Sequence, residues 1–152
     1  MKLSKTLQKL EILFDELNKH LFDGEIVKTV ITTQIGKKSD ADGWCAWSSA
    51  WRTHREGFFY ELNINPVHLR RTFLEVAETM LHLMVRLYMF QKQLGCDYNE
   101  KFKECAENHG LIAYETAPQR YSYTELSSST IEWVEEKFSG EEFEMFRLER
   151  TE

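Results

Sequence analysis

The stretch Phe73-Leu74-Glu75-Val76-Ala77-Glu78-Thr79-Met80-Leu81-His82-Leu83-Met84-Val85-Arg86-Leu87-Tyr88-Met89-Phe90 decides how the rest of the chain must be arranged. Its apolar side chains recur on nearly every face, so the pattern predicts a long central helix over Arg71 to Gln93 that is buried all round. Such a helix needs neighbours on several sides. His82 and Arg86 are four residues apart and therefore share one face of it. The apolar core of the stretch, Met80 to Phe90, is interrupted by both and is too short to cross a bilayer, which takes about 20 residues.

Working outward, the chain predicts an α+β order. Leu3, Leu7, Leu10, Leu13, Phe14 and Leu17 recur at helical spacing, with Ser4 as the candidate N-cap and Gly24 just beyond the end. Ile26 to Gln34 is rich in Val, Ile and Thr and reads as a strand, followed by a polar turn over Gly36 to Gly43. Trp44 to Trp51 and Phe58 to Ile64 read as two more strands, and Asn65-Pro66 carries the N-cap and N1 signature of a short helical turn. After Gly95 the pattern predicts a helix from Asn99 to Asn108 stopped at Gly110, a strand-like Tyr121-Ser122-Tyr123, and a last helix over Ser127 to Phe138 capped by a serine. Residues 1–140 read as one domain. Residues 141–152 read as an acidic C-terminal tail, with Glu141, Glu142, Glu144, Glu149 and Glu152 against Arg147 and Arg150.

Composition fits one compact body: 152 residues, 42% hydrophobic, supply enough apolar material for a real core. Met1-Lys2-Leu3-Ser4-Lys5 leads into an amphipathic pattern rather than an apolar run, so the expectation is no signal peptide, no membrane contact and a cytoplasmic location. Cys45, Cys96 and Cys105 form neither a C-x-x-C pair nor an even set, which excludes a disulfide framework and a zinc ribbon and predicts three reduced, packed thiols. No Walker, G-x-G-x-x-G or G-x-S-x-G sequence appears. His20, His54, His68 and His109 have no ligand-like spacing. Trp44, Trp47 and Trp51 read first as core packing, with an exposed aromatic surface as the alternative.

His82-Leu83-Met84-Val85-Arg86 sits where a zinc peptidase carries H-E-x-x-H, two metal-binding histidines four apart with a glutamate that activates water. Leu83 cannot accept a proton, and the Arg86 guanidinium has no lone pair to offer a metal. The surrounding sequence extends the likeness. Tyr60-Glu61-Leu62-Asn63-Ile64-Asn65-Pro66, then Val76 to Tyr88, then Asn99-Glu100-Lys101-Phe102-Lys103-Glu104 resembles the SprT-like metallopeptidase domain, as do Leu13-Phe14-Asp15-Glu16-Leu17-Asn18 and Phe22-Asp23-Gly24-Glu25.

That resemblance covers roughly Leu3 to Leu111 and implies a zincin-like fold: an N-terminal helix, a small, mostly antiparallel sheet, the long motif helix, the helix after it and a C-terminal helix. Carried over position by position, the first zinc histidine falls on His82, the catalytic glutamate on Leu83, the second histidine on Arg86 and the third ligand on Tyr98. One ligand of three remains, so the resemblance implies the scaffold without the reaction and no catalytic residue.

Two readings of the altered site stand side by side. Arg86 either replaces the metal as a cross-link between the two motif helices, with Tyr98 and Glu78 as its candidate partners, or runs out to solvent along its helix. His82 is either a neutral, hydrogen-bonded side chain with no cofactor or the anchor of a rebuilt zinc site that includes Cys96.

The chain has 25 acidic against 19 basic residues, net −6, so direct DNA binding is disfavoured: Lys37-Lys38, Arg52 to Arg55 and Arg70-Arg71 are only short basic pairs. The expectation is a pseudoenzyme that binds a protein partner such as a nucleic-acid enzyme with a basic groove. Its sharpest form is an inhibitor from a phage or mobile element acting on a host defence enzyme such as a CRISPR nuclease. A metallopeptidase or zinc protein rebuilt around His82, and a DNA-binding module without cleavage, are the alternatives.

Overall fold

The computed structural model describes residues 2–35, 41–45 and 50–149, and these form an α+β arrangement around one continuous apolar core. Helix α1 (Leu3–Phe22) buries Leu10, Leu13, Leu17 and Phe22, the stripe its periodicity predicts. Ser4 does not cap it: Lys2 stands at the cap position with no side-chain hydrogen bond.

The first strand is shorter than the Val/Ile/Thr run suggests. β1 spans Thr29–Thr32, because side-chain amides satisfy the backbone on either side of it. Asn18 exchanges two hydrogen bonds with Ile26, and Gln91 does the same with Val27. Beyond the strand, the Asn63 amide takes both backbone groups of Gln34.

The single strand expected over Trp44 to Trp51 is instead two, β2 (Gly43–Cys45) and β3 (Trp51–Thr53); Trp47 lies outside the described residues, as do Lys37, Lys38 and most of the expected turn. β4 (Gly57–Ile64) pairs with all three, parallel with β1 and antiparallel with β2 and β3. The sheet is therefore mixed, with β4 at its centre. Leu62 and Ile64 of β4 are almost fully buried. Of the tryptophans, Trp51 is half exposed and donates its indole N–H to the buried Glu61 carboxylate.

Asn65 and Pro66 open the expected 3-10 turn (Pro66–Arg70), with the Asn65 side chain accepting from Val67 N. Helix α2 (Phe73–Gln91) then crosses the molecule with Met80, Leu81, Met84, Val85 and Leu87 fully buried. It begins two residues later than the periodicity suggests, because Thr72 caps it: Thr72 Oγ1 accepts from Glu75 N and donates back to the Glu75 carboxylate. Helix α3 (Glu100–Asn108) is capped by Asn99, and α4 (Ser128–Lys137) by Ser127.

Between them lies a two-stranded antiparallel sheet of β5 (Leu111–Tyr114) and β6 (Tyr123–Leu126). β5 is not foreseen by the sequence reading. The strand expected at Tyr121 starts later, because the Tyr121 N–H donates to the Tyr98 carbonyl rather than to a strand ladder.

The acidic segment after Gly140 is tied down at its start. Phe143 is only 6% exposed and stacks on Phe73 at 5.3 Å, while Lys9 pairs with Glu141 and donates to the Glu142 carbonyl. Among the described residues no helix is long and apolar enough to cross a membrane. Cys45 and Cys105 are buried as expected of packed thiols, but Cys96 is exposed on the connection between α2 and α3.

Candidate functional site

An open cleft of about 290 Å³ lies over the middle of α2. Its floor is Glu78, Thr79, His82, Leu83 and Arg86; one wall is Asp42 and Gly43 at the start of β2, and the other is Ser122, Tyr123 and Thr124 with Tyr98. Helical spacing puts 78, 82 and 86 on one stripe. The stripe that the motif comparison singles out is thus the floor of a real depression.

His82 is held at both ring nitrogens. Nδ1 lies 2.7 Å from the Thr124 hydroxyl and Nε2 lies 3.0 Å from the Tyr98 hydroxyl. Each hydroxyl can donate or accept, so either neutral tautomer satisfies both bonds. Burial first, and the Arg86 charge second, push the imidazole pKa down to about 4, which keeps the ring neutral across the physiological range.

Arg86 does not simply run out to solvent. Its guanidinium carbon sits 4.6 Å from the centre of the Tyr98 ring, and Nη2 lies 3.5 Å from the Cys96 carbonyl oxygen. Both contacts join α2 to the connection that leads into α3. Arg120 lies 5.2 Å from the same ring, so two cations flank one phenol. The ring edge also packs on Phe102 of α3, at 4.9 Å.

Glu78, the other partner expected for Arg86, instead fastens β6 to α2, its Oε2 accepting the Leu126 N–H at 2.9 Å. Burial raises its carboxyl pKa, and the Leu126 N–H partly offsets that rise. Leu83, 5% exposed, packs beneath β2. A Cβ on Gly43 would fall 2.8 Å from Leu83 Cδ1 and would also collide with the Asn63 carbonyl, so the approach of β2 to α2 demands glycine there. Asp42, at the lip, is paired with Arg71 at 2.9 Å, and His68 Nε2 lies 3.4 Å away.

The described residues of this cleft do not suit zinc. Both nitrogens of His82 are engaged by hydroxyl groups, a fixed cation stands one turn away, and the neighbouring Leu83 has no lone pair to offer. Among the described residues no three His, Cys, Asp or Glu side chains are grouped to hold a metal ion. His82, Arg86 and Tyr98 are brought together as the sequence suggests, whereas Cys96 meets the site through its carbonyl group.

Two backbone features escape sequence reasoning. Ser127 N donates to Gly110 O on the β5 side, while Leu126 N points the other way, to Glu78. Alternation then aims the N–H and C=O of Thr124 away from β5, along the free edge of β6 that borders the cleft. Likewise Asn65 N donates to Asp42 O, so the groups of Gly43 face outward from β2. The period-two pattern of Tyr123, Thr124, Glu125 and Leu126 was the available signal for β6. Nothing in sequence placed Thr124 against His82, 42 positions earlier.

Compared with protein-family models, with curated proteins and with solved structures, the chain matches none of them.

Proposed function

We propose that this chain is a catalytically inactive, SprT-like pseudo-metallopeptidase on a zincin-like scaffold, a cytoplasmic protein that works by binding a segment of another protein. The supporting observation is the cleft itself: two strand edges, at Gly43 and Thr124, border a floor in which Leu83, Arg86 and the hydrogen-bonded His82 lie together, the residues that the SprT-like resemblance aligns with base and metal ligands. Such edges accept an extended chain through main-chain hydrogen bonds, with side chains choosing the partner. Inhibition of a nucleic-acid enzyme is one use of such a module, and the net charge of −6 suits a partner with a basic surface.

The test is to pan a display library of extended peptides and map the captured binders by amide hydrogen exchange. The expected result is slowed exchange at Thr124 or Gly43, together with substoichiometric zinc by elemental mass spectrometry and no peptidase turnover after zinc loading. One zinc per chain that disappears in His82→Ala, or binders that protect only surfaces remote from the cleft, would overturn the proposal.

A further inference from the structure

Building on the peptide-binding reading, we infer that Glu125 sets the specificity of the cleft-side edge of β6, selecting an extended segment that carries a lysine or arginine opposite it, with the Tyr123 and Tyr114 rings alongside the cation. Among the described residues no strand pairs with that edge. The backbone groups of Thr124 point toward it, so a strand added antiparallel there forms a hydrogen-bonded pair at Thr124. The incoming residues on either side then fall across from Tyr123 and Glu125, about 4.5–5.5 Å apart at Cβ, and share the outer face of the sheet with them. Glu78 limits the ladder, because its carboxylate takes the Leu126 N–H, the next donor along the edge. Short main-chain pairing leaves the choice of partner to side chains.

The outer face suits a cation. Glu125 is half-buried, its neighbour across the ladder is the uncharged Ile112, and among the described residues no lysine or arginine pairs with it. Tyr123 is 52% exposed and Tyr114 42%, with ring centres 5.8 Å apart, so aromatic faces stand beside the carboxylate on the same side of the sheet. A basic side chain opposite Glu125 lies diagonally across from Tyr123, within reach of its ring. The Glu125 charge raises the Tyr123 pKa, and Glu78 adds to the rise. A carboxylate accepts at about four positions, so the neighbouring phenol does not exhaust Glu125.

The surrounding charges favour the same occupant. Glu125 and Glu75 both act on Glu78, so three carboxylates gather at this end of the cleft. The cations stand at the other end, where Arg86 and Arg120 lie against Tyr98. Arg86 follows Glu78 along α2 by about 12 Å of rise, more than the Debye length of about 8 Å at physiological salt. A cation beside Glu125 therefore meets attraction close by and little repulsion. The net charge of −6 draws in basic segments at long range, and the same field repels a second copy of this chain.

The experiment follows backbone amide shifts while titrating three peptides: acetyl-Thr-Thr-Lys-Val-Tyr-Thr-Thr-amide and its analogues with glutamine or glutamate in place of lysine. The lysine peptide is expected to bind about fivefold more tightly than the glutamine one, and the glutamate peptide most weakly. The differences should shrink as sodium chloride rises from about 0.05 to about 0.5 M. Glu125→Gln should erase the preference for lysine, and Glu125→Lys should turn it toward the glutamate peptide; amide spectra of both variants report whether the fold survives. Equal binding of the lysine and glutamine peptides to wild type, or an unchanged lysine preference in Glu125→Gln, would overturn the inference and leave the peptide-binding reading intact. Shifts at Thr124 that grow with protein concentration in the absence of peptide would give the edge to a second copy and overturn it too. If no peptide perturbs Thr124 or Gly43, both readings fail.

Discussion

The Arg86 guanidinium lies over the ring of Tyr98, 4.6 Å from its centre, and in doing so joins the long central helix to the connection that starts the next one. A metal ion held between two helices would make the same kind of junction with bonds to both. Here a cation and an aromatic face make it, aided by the Cys96 carbonyl.

Loss of that junction should be measurable. Arg86→Ala is expected to lower stability by about 1–2 kcal/mol, the sum of a partly desolvated cation–π contact and the packing of the arginine stem. For a chain of this size that corresponds to a drop of roughly 3–6 °C in Tm by thermal denaturation. An unchanged Tm would exclude the cross-link.

The acid response should depend on His82. Its folded pKa, about 4, lies below the ordinary value of 6.5, so the unfolded chain binds more protons between those values. Stability contributed by the neutral ring is complete above pH 6.5 and is lost as pH falls through 4, on the order of 3 kcal/mol in all. Urea unfolding of wild type and His82→Gln should therefore converge as pH falls, the variant losing less. Parallel pH profiles would contradict this account.

Glu78 offers a cleaner separation of charge from hydrogen bonding. Burial raises its carboxyl pKa, so Glu78→Gln, which keeps an acceptor for the Leu126 N–H, should cost less than about 0.5 kcal/mol. Glu78→Ala leaves that N–H unpaired and should cost about 1–3 kcal/mol. Faster exchange of the Leu126 amide in the alanine variant alone is the diagnostic result.

A carboxylate at position 83 should harm the fold. Leu83 is buried against β2, and Leu83→Glu would lose that packing and desolvate a carboxylate beneath the strand, at a cost of several kcal/mol. Gly43→Ala should be similarly damaging, and a companion Leu83→Ala should not rescue it, because the Asn63 carbonyl still blocks the new methyl. Denaturation midpoints of the single and double variants decide the matter.

The C-terminal segment gives a further test. Phe143→Ala should destabilise by about 3–5 kcal/mol, as for a buried phenylalanine elsewhere, because its ring stacks on Phe73. A change within 0.5 kcal/mol, roughly the scale of surface substitutions, would mean that the contact contributes little.

How much of this was legible depended on the length of the signal. α1, α2, α3 and α4 carry apolar periodicity over nine residues or more, and the expected spans agree with the observed ones to within about two residues at each end. The strands of three or four residues carry too little pattern. Leu111–Tyr114 went unread, and the run around Trp44 and Trp51 was read as one strand. The parallel pairing of β1 with β4 joins residues 31 positions apart, such as Thr29 and Tyr60, which no local pattern encodes. The floor of the cleft was legible from helical spacing. Its walls were not, since Thr124 and Gly43 reach it only through the tertiary fold.

The position of β4 has a consequence for the chain during its synthesis. Three strands that precede it, Thr29–Thr32, Gly43–Cys45 and Trp51–Thr53, all pair with this later segment, and among the described residues none pairs with another. β3 can gain its ladder only once residue 59 has emerged from the ribosome, β1 once residue 63 has, and β2 once residue 64 has. At about 5–20 residues per second, the interval between the appearance of residue 29 and that of residue 64 is of order seconds. Through most of it, only α1 has its backbone hydrogen bonds satisfied internally, and the nascent strands are open to a chaperone.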